Sequence, residues 1–153
     1  MEFIKVEEFN KQDKEVRNAL LEWWIPQRGD SCYHIIDNWM FICDRYFEKY
    51  DTDNKLIKYI EYNNFPTYNT YYKEGNIPLL TMQQIIDFIE DKTNKKVIFE
   101  YTCCGNIVIK LLEQDKVTGS LVYKQKYTFL KDKFDLLHTL FQVAIDIIKE
   151  EIR

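Results

Sequence analysis

At 153 residues the chain has the length of one ordinary domain, enough to bury about 70% of the surface its unfolded form exposes. Hydrophobic residues at 46%, charged residues at 30%, and only four glycines and three prolines exclude a chain dominated by disorder or low-complexity sequence. The net charge of -4, with basic residues scattered among the acids, supplies no basic field for generic nucleic-acid binding and no acidic block dense enough to imitate DNA.

The first predicted element is a helix over KQDKEVRNALLEWW, where Val16, Ala19, Leu20 and Trp23 recur at helical spacing before Pro26 stops the run. The opening MEFIKVEEFNKQDKEV lacks the basic and apolar regions of a signal peptide, and no window approaches 18 uninterrupted apolar residues, so the chain is expected to stay in the cytosol without a membrane span. In that reducing compartment its four cysteines are expected as free thiols.

After the breaker IPQRGD, the segments SCYHII and WMFIC flank Asp37-Asn38 and are rich in β-branched and aromatic residues. They predict a β-hairpin with a two-residue turn; a continuous helix over residues 31–48 is the alternative. With that turn, Ile36 lies opposite Trp39, His34 opposite Phe41 and Cys32 opposite Cys43, all on one face. Tyr33, Ile35, Met40 and Ile42 form the other face. Both are largely apolar, so the hairpin should be covered on both sides or lie against a partner. Residues 44–80 read less clearly: a short strand in KLIKYIEY, then a long connection carrying Tyr59, Tyr62, Tyr68, Tyr71 and Tyr72, with turn signals at DTDN, NNFP and KEGN.

From Pro78 the pattern sharpens. Thr81 can cap a helix with Gln84 completing a capping box, and Met82, Ile85, Ile86 and Ile89 give its apolar stripe. KVIFEYTC predicts a strand with Val97, Phe99, Tyr101 and Cys103 inward, and Cys104-Gly105-Asn106 turns the chain into NIVIKLLE. SLVYKQKYTFL predicts a third strand, Leu121, Tyr123, Tyr127 and Phe129 on one face and Lys124, Lys126 and Thr128 toward water. FDLLHTLFQVAIDIIKEEI closes as a helix, with Leu137, Leu140, Phe141, Ala144, Ile145 and Ile148 on one side. The expected fold is therefore α+β. Residues 78–153 form a two-layer helix, three-stranded antiparallel meander and helix. Residues 1–77 contribute an N-terminal helix, a β-hairpin and the tyrosine-rich connection, as an appendage docked on that domain or merged with it in one compact unit.

The order helix, meander, helix, introduced by IPLLTMQQIIDFIE and closed by FDLLHTLFQVAIDII, resembles small phage and prophage accessory proteins with an α-β-α sandwich domain. WWIPQRGD before a hairpin is similar to the N-terminal part of proteins of the same kind. Together the similar stretches cover about two thirds of the chain; residues 44–77 match poorly, and the meander's aromatic and glycine points are reduced to Cys103-Cys104-Gly105. The resemblance implies a phage gene concerned with host takeover or host defence, acting in the host cytoplasm. It carries over no catalytic residue.

No GxSxG, Walker, GxGxxG, HExxH or paired CxxC motif is present. Cys32, His34 and Cys43 share the predicted hairpin face, but a structural zinc site wants four ligands and spacing supplies no fourth; Cys103 and Cys104 cannot both point inward from one strand. His34 and His138 are the only imidazoles, and His138 sits beside an apolar helical stripe, where capping a core edge is the plainer role. No enzyme, metal or cofactor is expected. The order of elements is also that of double-stranded RNA-binding domains, yet the stretch where these place a lysine cluster reads LKDKFD, two lysines offset by two acids. Nucleic acid is thus disfavoured.

What remains is an aromatic surplus. Trp23, Trp24, Tyr33, Trp39, Tyr59, Tyr62, Tyr68, Tyr71 and Tyr72 are the residues expected to bind, since Trp and Tyr dominate interface hot spots, with core packing as the plainer alternative. The expected activity is non-enzymatic: binding and inhibiting a host protein as a counter-defence, anti-CRISPR-like factor. A second copy of the chain is a further candidate partner. The alternative is a small-molecule binder such as a signalling-nucleotide sponge, stacking a base on tyrosine with Arg28, Arg45 or Lys58 toward phosphate.

Overall fold

In the computed structural model, residues 2–64, 67–129 and 135–152 are described, without the side chains of Asn64, Lys126 and Phe129. The end of the NNFP turn signal, most of LKDKFD, and the facing of Lys126 and Phe129 lie outside these residues. The fold is mixed α+β, with helices at both ends and three small antiparallel sheets. Two compact units divide it: Lys5–Leu80, and Thr81–Arg153 together with Met1–Ile4. In the second unit Phe3 bridges to Thr81. No helix among the described residues is long and apolar enough to cross a membrane.

The Lys5–Leu80 unit begins with α1 (Val6–Asn10) and α2 (Lys14–Trp23). Val16 and Leu20 give α2 its buried stripe, and its last turn ends before Pro26 because the ring cannot continue a helix. The Lys73 ammonium donates to the carbonyl of Leu21 at 2.9 Å, satisfying one of the acceptors a helix C-terminus leaves open. Burial, followed by the nearby Lys58, lowers the pKa of Lys73.

Strands β1 (Ser31–His34) and β2 (Trp39–Ile42) form a hairpin, and β6 (Asn76–Pro78) pairs with the other edge of β1. The hairpin is there, but its register differs from the sequence expectation by two residues. His34 faces Trp39 and Cys32 faces Phe41, leaving Ile35–Asn38 as a four-residue loop. A two-residue type I′ turn needs both central residues at positive φ. Here only Asn38 takes it, at 57°. His34 closes the wider loop: its carbonyl accepts from the Asn38 amide and its Nδ1 from the Asp37 amide. A shift of two keeps each strand's faces, so Cys32, His34, Trp39, Phe41 and Cys43 still point inward. Ile36 drops out and stands 82% exposed.

Residues 44–72 also depart from expectation. The stretch read as one strand and a long connection is a three-stranded meander: β3 (Arg45–Tyr50), β4 (Leu56–Asn64) and β5 (Thr67–Tyr72). Tyr, Phe, Ile and Thr favour these strands, and the Lys, Glu and Asn residues among them disguise the pattern.

In the other unit, α3 (Met82–Thr93) starts at the expected capping box. The Gln84 amide donates to Thr81 Oγ1, while Gln84 Oε1 accepts from the Thr81 amide. Thr81→Ala should cost about 1 kcal/mol, measured by urea unfolding. The buried stripe is Ile85, Phe88 and Ile89; Met82 is 41% exposed and Ile86 half-buried, so the predicted face holds at Ile85 and Ile89 and turns toward Phe88.

Strands β7 (Lys96–Tyr101), β8 (Ile107–Gln114) and β9 (Leu121–Phe129) follow as the expected antiparallel meander. Val97 is buried, whereas Tyr101 is 75% exposed and Cys103 stands beyond the strand in the turn. In β9 the predicted common face is broken: a register shift against Leu111 and Leu112 leaves Lys124 unpaired, between Gln125 facing Leu111 and Tyr123 facing Leu112. One extra residue inverts the side-chain alternation. Leu121 and Tyr123 therefore leave the face of Tyr127 and are about half exposed. Finally, α4 (Leu136–Ile152) buries the expected stripe and also Thr139, Val143 and Ile147. Asp135 caps it, accepting from the His138 amide at 3.2 Å and pairing with its Nδ1 at 2.7 Å.

Candidate binding surface

The inner face of the Lys5–Leu80 unit is an aromatic core. Trp24, Cys32, Phe41, Cys43, Ile60 and Tyr62 are buried together, with Trp23, Trp39, Tyr46 and Tyr71 packed against them. Trp39 donates from its indole to the Tyr71 hydroxyl at 3.0 Å, and Tyr71 donates in turn to the Asp37 carboxylate. The Tyr71 ring stacks on His34 with centroids 3.6 Å apart. Burial, reinforced by the bond to Asp37, raises the Tyr71 phenol above its usual range. His34 is thereby committed to holding the turn.

The two hairpin thiols are equally committed to the core. Burial is the main force raising both, with the Asp30 carboxylate adding to it; Cys43 is pushed up to about 11 and Cys32 further. A thiol with a raised folded pKa stays protonated while the unfolded chain ionises above about 9. The unfolded state then binds fewer protons, so stability should be full below pH 9 and fall as pH rises toward 11. Urea unfolding at pH 8 and pH 10.5, with and without Cys43→Ala, should show a smaller alkaline loss in the variant. No group of three or more His, Cys, Asp or Glu side chains is placed to hold a metal ion among the described residues.

The outer face of β3, β4 and β5 differs in kind. Register places Phe47, Tyr59 and Tyr72 in one row across the three strands. The Phe47 and Tyr59 rings lie 5.3 Å apart and nearly parallel, and Tyr59 and Tyr72 lie 5.4 Å apart. Arg45 and Lys49, two residues either side of Phe47 on the same strand, each place a cation 5.1 Å from its ring centroid. Arg45 also bonds Glu61 on the neighbouring strand at 3.1 Å. Tyr72 is 60% exposed, and Tyr68, on the same face opposite Asn63, is 61% exposed.

No family model, curated protein or solved structure matches the chain. The functional reading therefore rests on this geometry. Of the nine predicted residues, the structure gathers Tyr59, Tyr68 and Tyr72 on the outer face. It places Trp24 and Tyr62 in the core, and Trp23, Trp39 and Tyr71 half-buried against it. Tyr33 is half-buried on the other face of the hairpin, its hydroxyl bonded to Asn38.

Phe47 and Lys49 were not singled out by sequence. Their signal is the alternation Arg45, Phe47, Lys49, which emerges once RYFEKY is read as a strand. Met40 and Ile42 on β2 extend the exposed apolar residues of this unit, at 57% and 56%. A second feature is a hollow of about 310 Å³ lined by Trp39, Phe41 and Tyr62, with Arg28 and Asp44 at its wall. Arg28 pairs with Asp44 at 3.2 Å while remaining largely in water.

Proposed function

We propose that this chain is a non-enzymatic binding protein whose docking surface is the outer face of the β3–β5 meander, and that its partner is a host protein it inhibits. The observation that carries this reading is the row Phe47, Tyr59 and Tyr72. Tyr72 is exposed with Phe47 and Tyr59 half-buried beside it, and aromatic rings of this kind supply the contacts typical of interface hot spots. Their cationic flank suits a partner bearing carboxylates around an apolar patch. The phage-like sequence pattern supports host cytoplasm as the setting and host defence as the target class. A two-layer stack of α3 and α4 on the β7–β9 meander belongs to the same reading, supported by the fully buried Ile109 and Leu111.

Immobilised protein exposed to host lysate should retain one defined protein. Tyr72→Ala should lose it, whereas Tyr123→Ala, an equally exposed tyrosine of the other unit, should keep it. Equal capture by both variants would contradict the assignment.

A second reading, nucleotide binding, is favoured by one observation: the aromatic hollow with Arg28 at its wall. A base would stack against the half-buried Trp39 while the guanidinium met phosphate. Mass spectrometry of small molecules released by heating would support it, and no thermal shift across a nucleotide panel would remove it.

A further inference from the structure

The turn between β7 and β8 presents two adjacent thiols to solvent. Cys103 and Cys104 are both exposed and free, with their sulfurs 3.9 Å apart. In a strand, neighbouring side chains point to opposite faces. The chain escapes that rule because β7 ends at Tyr101 and both cysteines lie in the turn. The turn is braced at both ends. The Thr102 amide donates to the Asn106 carbonyl at 2.9 Å, the Gly105 amide to the Thr102 carbonyl at 2.9 Å, and the Asn106 amide to Thr102 Oγ1 at 3.1 Å. Gly105 supplies the positive φ, 79°, that reverses the chain. Free cysteines are ordinarily among the most buried residues, and packing does not explain two of them side by side in water.

We propose that Cys103 and Cys104 form a two-thiolate site for a soft, thiophilic d10 metal ion of the zinc and cadmium class. The spacing fits: two metal–sulfur bonds of about 2.3 Å at a tetrahedral angle set the sulfurs roughly 3.8 Å apart. Binding forms two metal–sulfur bonds, displaces two metal-bound waters and releases the two thiol protons to solvent; no electron is transferred. The remaining coordination positions are filled by water or by the same turn of a second copy, which would complete a four-thiolate shell. Hard cations, which take oxygen ligands, are excluded by the donor set.

Cadmium added to the reduced, full-length protein at neutral pH is the probe. The expected result is a sulfur-to-cadmium charge-transfer band saturating at micromolar ion, at one ion for each one or two chains. Cys103→Ser and Cys104→Ser should each weaken binding at least tenfold without moving the melting temperature, because the turn is exposed. Absence of the band at micromolar cadmium, or a band that survives both substitutions, would overturn the proposal.

Discussion

Trp24→Ala is expected to destabilise the Lys5–Leu80 unit by about 3 to 5 kcal/mol, the range for truncating a large buried aromatic residue. Trp24 is 2% exposed, and three separate losses coincide there. The ring volume disappears from the shared core of Cys32, Phe41, Cys43, Ile60 and Tyr62. The indole no longer donates to the Asp30 carboxylate, 3.0 Å away, which also holds the Gln27 amide at the entry to β1. The Lys73 ammonium, 5.6 Å from the ring centroid, loses its aromatic neighbour. Trp23 and Trp39 remain as fluorescence reporters for urea unfolding. A loss under about 1 kcal/mol would mean that the hairpin and α2 do not share one core.

Phe88→Ala should cost the Thr81–Arg153 unit a similar 3 to 5 kcal/mol. The residue is fully buried on α3 between Ile85 and Ile89, and α3 packs on α4. That unit holds no tryptophan, so far-UV circular dichroism during urea unfolding is the suitable probe. Met82→Ala, nearly two turns away and 41% exposed, should cost far less. Equal losses would restore the stripe the sequence suggested and contradict the observed rotation of the face.

Elements whose local chemistry repeats at a fixed period were legible from sequence. The capping box at Thr81 and Gln84, the stripe of α4 and the strands β7 and β8 as elements each rest on neighbours along the chain. What escaped depends on single-residue offsets or on distant partners. The hairpin register turned on whether Asp37 adopts positive φ, and the solution came from His34 and from Tyr71, more than 30 positions away. The face of β9 turned on one unpaired residue, Lys124. Strands β3 and β5 were hidden because their outward positions carry Arg, Lys and Thr beside tyrosine, a pattern shared by loops and solvated strands. The candidate surface was half legible for the same reason: its tyrosines stood out, whereas Phe47, Arg45 and Lys49 acquire meaning only when β3 is paired against β4. Trp24 and Tyr62 point the other way, aromatic residues that looked available for binding and are spent on the core.

The most direct test of the docking surface is a paired measurement on Tyr72→Ala with the captured partner purified. Its side chain is mostly in water, so the melting curve should correspond to a change within about 1 kcal/mol, the scale of one cross-strand pair. Isothermal titration should show affinity weakened by about 2 kcal/mol or more, roughly thirtyfold. An unaltered affinity in a folded variant would contradict the assignment of the Phe47, Tyr59 and Tyr72 row as the binding face.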